Sequence, residues 1–219
     1  MEILFENREC LVCVKPAGVL SQRGRAGEQD MVTALSRQCG GLGGVYLVHR
    51  LDREVGGVMV FARTHGAAEL LTRASERREL TKEYLAVVEG VPAAPEGELR
   101  DFLFRDETQK KTVTVAAQHR GAKEARLRYE TLATVETAAG VRTLVRIRLL
   151  TGRNHQIRVQ FASRGTPIVG DGRYGSGGGE MALWAFRLRF PDPCGGERTV
   201  TALPRGGVWK PFELEALVR

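Results

Sequence analysis

Three stretches in the second half of the chain alternate apolar and polar residues with a period of two. They are EARLRYE (124–130), LVRIRLL (144–150) and WAFRLRF (184–190). In an extended strand this spacing places arginine and glutamate on one face and aliphatic or aromatic side chains on the other. The pattern is typical of half-buried strands in an antiparallel sheet.

Helical spacing appears in three segments that also carry capping residues. DMVTALSRQCGG (30–41) predicts a short helix with Asp30 as N-cap and glycine at its end, and THGAAELLTRASERR (64–78) predicts a helix capped by Thr64. NHQIRVQFASRG (154–165) predicts a third, because Ile157 and Phe161 lie four apart, with Asn154 as cap and Gly165 at the end.

Shorter apolar runs predict the remaining strands. They are CLVCVKPAGVL (10–20), which ends in a Pro-Ala-Gly turn, VYLVHRL (45–51), GVMVFAR (57–63) and TKEYLAVVEG (81–90). YGSGGGE (174–180) predicts a flexible surface loop. The sequence therefore predicts an α+β fold, one domain over residues 1–219, with a large mixed, mainly antiparallel sheet flanked by helices and loops.

Composition and charge restrict the class of protein. With 42% hydrophobic residues among 219, the chain is long enough and apolar enough to form a globular core. No apolar run is long enough to span a membrane, and MEILFENREC lacks the features of a signal peptide, so we predict a cytoplasmic protein. The formal net charge of +7 favours a polyanionic partner such as RNA, although basic solvated surfaces are also common.

The four cysteines predict buried thiols rather than a metal or redox site. Cys10 and Cys13 form a C-x-x-C, but no second pair accompanies them. In a strand these two side chains point to opposite faces and cannot share a metal ion. We therefore predict no metal site.

One carboxylate lies among cations in YLVHRLDREVGG (46–57). Asp52 has arginine at positions 50 and 53, follows an apolar strand and precedes two glycines. An isolated Asp-Arg pair on a surface is usually a weak ion pair. A kinase catalytic loop is excluded because Leu51 interrupts His-Arg-Asp, and no Asp-Phe-Gly is present.

The chain resembles the RluA-type pseudouridine synthase family in four motifs that occur in order. They are VKPAGVLSQRG (14–24), HRLDREVGGVMVFAR (49–63), KEYLAVVEG (82–90) and TGRNHQIRVQFASRGTPIVGDGRYG (151–175). The resemblance extends from about residue 10 to residue 189. It implies a pseudouridine synthase-like catalytic domain, a monomer that isomerises uridine in rRNA or tRNA and needs no cofactor. As a departure from the family, no N-terminal S4 module is expected, because the first motif begins within ten residues of Met1.

The resemblance also implies roles for individual residues. Asp52 matches the catalytic aspartate, Arg158 the arginine that pairs with that aspartate, and Tyr84 the tyrosine that lies against the uracil. Arg50 matches the arginine that fills the place of the flipped base, and Ile157 and Leu183 are expected to line the base pocket. His155 is expected to be structural and Asp171 to close a turn.

Phosphate contacts are expected from arginines on the alternating strands. The candidates are Arg126, Arg128, Arg146, Arg148, Arg187 and Arg189.

Three residue positions depart from the family pattern. Val55 and Gly56 replace the usual threonine and serine, and Trp184 replaces a histidine that many members have. A catalytically silent RNA-binding protein of the same fold is therefore an alternative function. A nucleoside hydrolase-like enzyme is disfavoured, because glycosidases usually need paired carboxylates and the motifs offer only Asp52 and Glu54.

Overall fold

Strands dominate the part of the chain that the computed structural model describes, which is residues 1–39, 44–175 and 177–218. The elements are β1 (Ile3–Glu6), β2 (Cys10–Lys15), α1 (Met31–Gln38), β3 (Tyr46–Leu47), β4 (Gly56–Ala62), α2 (His65–Glu76), β5 (Thr81–Glu89), β6 (Glu96–Asp106), β7 (Lys111–Val115), β8 (Lys123–Thr137), β9 (Gly140–Leu149), α3 (Gln156–Ala162), β10 (Leu183–Pro191), β11 (Glu197–Thr201) and α4 (Leu214–Leu217). The predicted α+β class and the mixed, mainly antiparallel sheet are confirmed.

The chain divides into two compact units, each assembled from segments that are distant in sequence. The first comprises residues 1–82 and 184–204, and the second comprises residues 83–183 together with the chain from residue 205 onward. The single domain over residues 1–219 stays a prediction.

The first unit contains strands in the order β1–β2–β4–β10, with β3 paired to β4 and β11 paired to β10. β4 and β10 are parallel, and the other pairs in this unit are antiparallel. Every residue of β4 is buried, which explains its continuous apolar run. Helix α2, which Thr64 caps as predicted, packs Ala67 and Leu71 against Val58 and Val60 of that strand.

Cys10 and Cys13 are free and fully buried in β2, as the sequence predicts, but the prediction of a buried thiol is wrong for Cys39, which is half-buried, and for Cys194, which is exposed. Burial raises the pKa of each thiol to about 12, so both stay protonated near neutral pH.

The second unit contains the antiparallel order β5–β9–β8–β6–β7. Its alternating strands have the predicted buried face, with Leu127, Tyr129 and Ile147 at most 8% exposed. Helix α3 covers this face, and the ring of Phe161 meets Tyr129 edge-on with centroids 5.5 Å apart. The α3 helix therefore lies against the strands that carry the alternating pattern.

The start of one helix differs from the prediction. The α3 helix begins at Gln156 after His155, a residue in the left-handed region at φ 51° that caps without a side-chain hydrogen bond. The prediction that Asn154 caps this helix is wrong, because its Oδ1 accepts hydrogen bonds from Arg105 and Thr112 instead. Asp30 caps α1 as predicted, whereas the glycines predicted at the end of that helix lie outside the described residues.

Among the residues that the structure describes, no helix has the length and apolar character needed to cross a membrane.

Candidate active site

Asp52 lies in the loop that joins β3 to β4 in the first unit. Side chains alternate along this loop, since His49 and Leu51 are buried, Arg50 is exposed and Asp52 is half-buried. The backbone N–H of Val55 donates to the carbonyl oxygen of Asp52 at 3.1 Å and closes a tight turn. The loop thus presents Arg50 and Asp52 outward from a buried base.

The segment that follows β2 holds both neighbours of Asp52 in place. The Ser21 hydroxyl accepts from the Leu51 N–H at 3.0 Å and donates to the Leu51 carbonyl at 2.8 Å. On the other side, the Gly18 N–H donates to the Arg53 carbonyl at 2.8 Å, and Arg53 Nε donates back to the Gly18 carbonyl at 3.0 Å. Asp52 is therefore flanked by two residues whose main chain is anchored.

Lys15 provides a third anchor and a buried positive charge. Its side chain is fully buried, and Nζ donates to the carbonyl oxygens of Pro16, Val19 and Arg53 at 2.9, 2.6 and 3.0 Å. Burial lowers the pKa of Lys15 to about 8, while the nearby Asp52 carboxylate opposes that shift. Sequence analysis missed this residue, because nothing in VKPAGVLSQRG distinguishes a buried lysine from an exposed one.

His49 anchors the start of the loop to β4. The Val60 N–H donates to His49 Nε2 at 3.3 Å, so the ring hydrogen lies on Nδ1, which forms no hydrogen bond within the described part of the chain. Burial, followed by the charge of Lys82, holds the pKa of His49 well below its usual value. The ring is therefore neutral at physiological pH.

The two glycines after the loop allow β4 to approach β10 closely. Gly56 and Gly57 lie opposite Trp184 and Ala185 in the parallel pair. A Cβ on Gly56 would lie only 2.7 Å from Cε3 of Trp184, and one on Gly57 would lie 2.6 Å from the backbone nitrogen of Ala185. Gly57 also has φ 127°, which side chains rarely adopt.

Tyr84, Ile157 and Leu183 are buried in the second unit. Tyr84 lies on β5 in register with Ile147 of β9, and it is 6% exposed. Ile157 lies on α3 and Leu183 is the first residue of β10, each 4% exposed.

Arg158 of α3 forms a buried bidentate ion pair with Asp171. Its Nε and Nη2 donate to the two carboxylate oxygens at 2.7 and 2.8 Å. Burial by itself would raise the pKa of Asp171, but the guanidinium and the N–H groups of Arg173 and Tyr174 lower it. The turn predicted at Asp171 is confirmed. The ion pair of Asp171 with Arg158 is a second role of this residue, which sequence analysis missed.

Tyr174 completes the support of Arg158. The Arg158 guanidinium carbon lies 5.2 Å from the centre of the Tyr174 ring. The Tyr174 hydroxyl accepts from the Thr112 N–H at 3.0 Å and lies 2.8 Å from His155 Nδ1. This position supports the structural interpretation of His155.

The six predicted site residues thus divide between the units. Arg50 and Asp52 lie in the first, and Tyr84, Ile157, Arg158 and Leu183 lie in the second. Their catalytic and binding roles stay predictions. Within the described ranges, no group of three or more His, Cys, Asp or Glu residues is arranged to hold a metal ion.

Comparison with known proteins identifies relatives over most of the chain. A family model described as RNA pseudouridylate synthase matches residues 9–163. The chain is 33% identical over 184 residues to ribosomal large subunit pseudouridine synthase D of Zymomonas mobilis, covering 80% of this chain and 56% of that protein. It is 30% identical over 222 residues to tRNA pseudouridine synthase C of Yersinia pestis, covering 92% and 86%.

Solved structures show the same similarity. Human RNA Pseudouridylate Synthase Domain Containing 1 superposes with a TM-score of 0.79 at 25% identity, over 93% of this chain and 83% of the human one.

Proposed function

This chain belongs to the RNA pseudouridylate synthase family, and we propose that it isomerises specific uridines of rRNA or tRNA to pseudouridine with Asp52 as the catalytic carboxylate. The reaction breaks the bond between ribose and uracil, rotates the freed base and rejoins it through carbon. Every atom of the nucleotide is retained and nothing is oxidised, so the proposal includes no cofactor. Monomeric state and cytoplasmic location stay predictions.

The observation that carries the proposal is the anchoring of the Asp52 loop. Lys15, Gly18 and Ser21 bind the main chain on both sides of Asp52, while Asp52 itself stays half-buried. A carboxylate that is fixed in position but still open to solvent can meet a nucleotide with little reorganisation. The positive charge of Lys15 lies near this carboxylate and attracts it.

The other site residues have supporting roles in the proposal. The resemblance assigns Arg158 as the partner of the catalytic carboxylate, and the Asp171 pair fixes the direction of its guanidinium. The Tyr84 ring packs against the uracil, with Ile157 and Leu183 beside it. Arg50, which is exposed, stacks into the gap that the flipped base leaves.

The test is direct formation of pseudouridine. The purified protein is incubated with unmodified transcripts of rRNA and tRNA, and pseudouridines are mapped by chemical labelling and primer extension. We expect modification at one or a few uridines, with no free uracil released. The same map in cells with and without the gene identifies the natural RNA.

Asp52→Asn distinguishes the enzyme from a silent RNA-binding protein. The amide is nearly isosteric but is neither a nucleophile nor a base, so turnover should disappear while RNA binding remains. Glu54→Gln removes the same charge from an exposed position of the same loop and should retain turnover. Turnover by Asp52→Asn contradicts the catalytic assignment, and RNA binding without any pseudouridine favours the silent protein.

A further inference from the structure

Four basic residues gather around the tip of the β6–β7 hairpin in the second unit. This basic cluster consists of Arg105, Lys110, Lys111 and Arg173. Lys110 and Arg173 are exposed, whereas Arg105 and Lys111 are half-buried. The hairpin turn is itself ordered, because Asp106 accepts hydrogen bonds from the N–H groups of Thr108 and Gln109.

Neutral groups, rather than carboxylates, hold most of the basic cluster together. Arg173 Nη1 donates to the Lys110 carbonyl at 2.7 Å, and Lys111 Nζ lies 5.1 Å from the centre of the Tyr174 ring. Arg105 Nη1 donates to Asn154 Oδ1 at 2.6 Å, and Arg105 Nε lies 3.2 Å from the exposed carboxylate of Glu107. Within the described residues, Lys110, Lys111 and Arg173 form no ion pair.

Four of the six strand arginines that the sequence favours as phosphate contacts already pair with carboxylates. Arg126 and Arg128 share the carboxylate of Glu98, Arg146 pairs with Glu130, and Arg189 pairs with Glu197. A cation that already has a carboxylate partner gains less from a phosphate, because it must give up that partner. An unpaired cation gains the full attraction and releases its counterions.

The basic cluster also lies beside a candidate catalytic residue of its own unit. Both Lys111 and Arg158 contact the Tyr174 ring, because Lys111 Nζ lies 5.1 Å and the Arg158 guanidinium carbon 5.2 Å from its centre. An RNA backbone bound to the cluster would therefore run next to Arg158.

We infer that the basic cluster is the surface that holds the phosphates of the RNA strand near the modified uridine. This inference rests on the proposed function, and it identifies the surface that binds the RNA. Contacts of this kind position the RNA without reading its sequence. Selection of the uridine then depends on the base pocket and on the shape of the RNA.

The test measures how the affinity for RNA depends on salt. The probe is a fluorescently labelled, unmodified tRNA transcript, titrated between about 50 and 200 mM salt. The variant is Lys110→Gln with Arg173→Gln, which keeps a polar side chain at each position and removes two positive charges. The matched control is Arg73→Gln with Arg100→Gln, which removes two exposed arginines that are paired with Glu69 and Glu124.

Each phosphate contact contributes about 0.7 to 0.9 to the slope of log affinity against log salt. We expect the Lys110/Arg173 variant to lose about 1.4 to 1.8 from that slope, and the control to keep the wild-type slope. An unchanged slope in the variant overturns the inference. Equal losses in variant and control also overturn it, because net charge rather than location would then explain the effect.

Failure of the inference is distinguishable from failure of the proposed function. If the wild type forms pseudouridine but the Lys110/Arg173 variant keeps its salt slope, only the inference fails. If the wild type forms no pseudouridine in any transcript, the proposed function fails, and the slopes still decide whether the basic cluster binds RNA. Wild-type protein that does not bind the probe at about 50 mM salt overturns the inference as well.

Discussion

At the scale of single residues, two departures from the family pattern lie in contact with each other. Gly56 replaces a usual serine and Trp184 replaces a frequent histidine, and the tryptophan ring occupies the space where a side chain at position 56 would lie. The ring is further held by a hydrogen bond from Nε1 to the Ala202 carbonyl at 2.8 Å. The two substitutions therefore compensate each other in volume.

We expect Gly56→Ser alone to reduce the free energy of unfolding by about 1–3 kcal/mol, because it overpacks the contact with the ring. Trp184→His alone should also destabilise the protein, because it leaves space beside Gly56. The double variant should be more stable than the sum of the two effects predicts, by about 1 kcal/mol or more. Chemical denaturation of all four proteins provides the test, and strict additivity would show that the two positions are independent.

Asp171 is the second residue whose importance the contacts reveal. Its pair with Arg158 is buried on both sides, with side chains 5% and 0% exposed. Asp171→Asn should cost about 3 kcal/mol of stability, as expected when one partner of a buried ion pair loses its charge. It should also slow turnover at saturating RNA, since Arg158 is then less well directed.

Asp101→Asn is the matched control for that change. Asp101 also pairs with an arginine, Arg164, but this arginine is 36% exposed. Loss of the Asp101–Arg164 ion pair should therefore lower the free energy of unfolding by no more than about 1 kcal/mol. Equal stability and turnover in the two variants would mean that Asp171 has no special role in directing Arg158.

At the scale of elements, β2 and the segment that follows it form the support for the Asp52 loop. Lys15 at the end of β2 links three carbonyl oxygens from two segments. Its lowered pKa, about 8 instead of 10.5, corresponds to roughly 3 kcal/mol of burial cost. Hydrogen bonds from a charged group contribute about 1.5–3 kcal/mol each, so the three bonds together outweigh that burial cost.

Lys15→Met should therefore destabilise the protein by a few kcal/mol, although it removes a buried charge. The loop contacts should loosen with it, and hydrogen exchange at the N–H groups of Gly18 and Val55 should become faster. Denaturation and exchange measured by nuclear magnetic resonance would show both effects. A variant with wild-type stability and wild-type protection at these two positions would show that Lys15 does not hold the loop.

At the scale of the whole molecule, His49 makes stability depend on pH. The folded protein keeps the ring neutral, because burial holds its pKa well below 6.5, whereas the unfolded chain takes up a proton near pH 6.5. The contribution to stability is therefore fully present above pH 6.5 and is lost as the pH falls below it.

Between pH 7 and pH 5 the wild type should lose unfolding free energy through this residue, by no more than the roughly 2 kcal/mol that a single histidine can contribute over this range. His49→Gln keeps an oxygen that can accept from the Val60 N–H but has no group that titrates in this range. We expect the unfolding free energy of the variant to change less between pH 7 and pH 5 than that of the wild type, as measured by chemical denaturation at both pH values. Parallel curves for the two proteins would assign the acid sensitivity to other groups.

Local pattern was sufficient for many elements of this protein. Alternation located β8, β9 and β10 and their buried faces, and capping residues located α1 and α2, because these signals depend only on neighbours a few residues apart. The four motifs that resemble the RluA-type family identified Asp52, Tyr84 and Arg158 as candidate site residues. Strands β1, β6, β7 and β11 were not predicted from the sequence.

Tertiary structure alone decided the contacts between distant positions. Lys15 meets the carbonyl of residue 53, Asp171 meets Arg158, Trp184 fills the space at Gly56, and Asn154 binds Arg105 instead of capping its own helix. A sequence records residue types in order, but burial of a charge and its choice of partner depend on which distant segments pack together. The candidate catalytic residue was therefore visible in the sequence, whereas the residues that hold its loop became visible only in the fold.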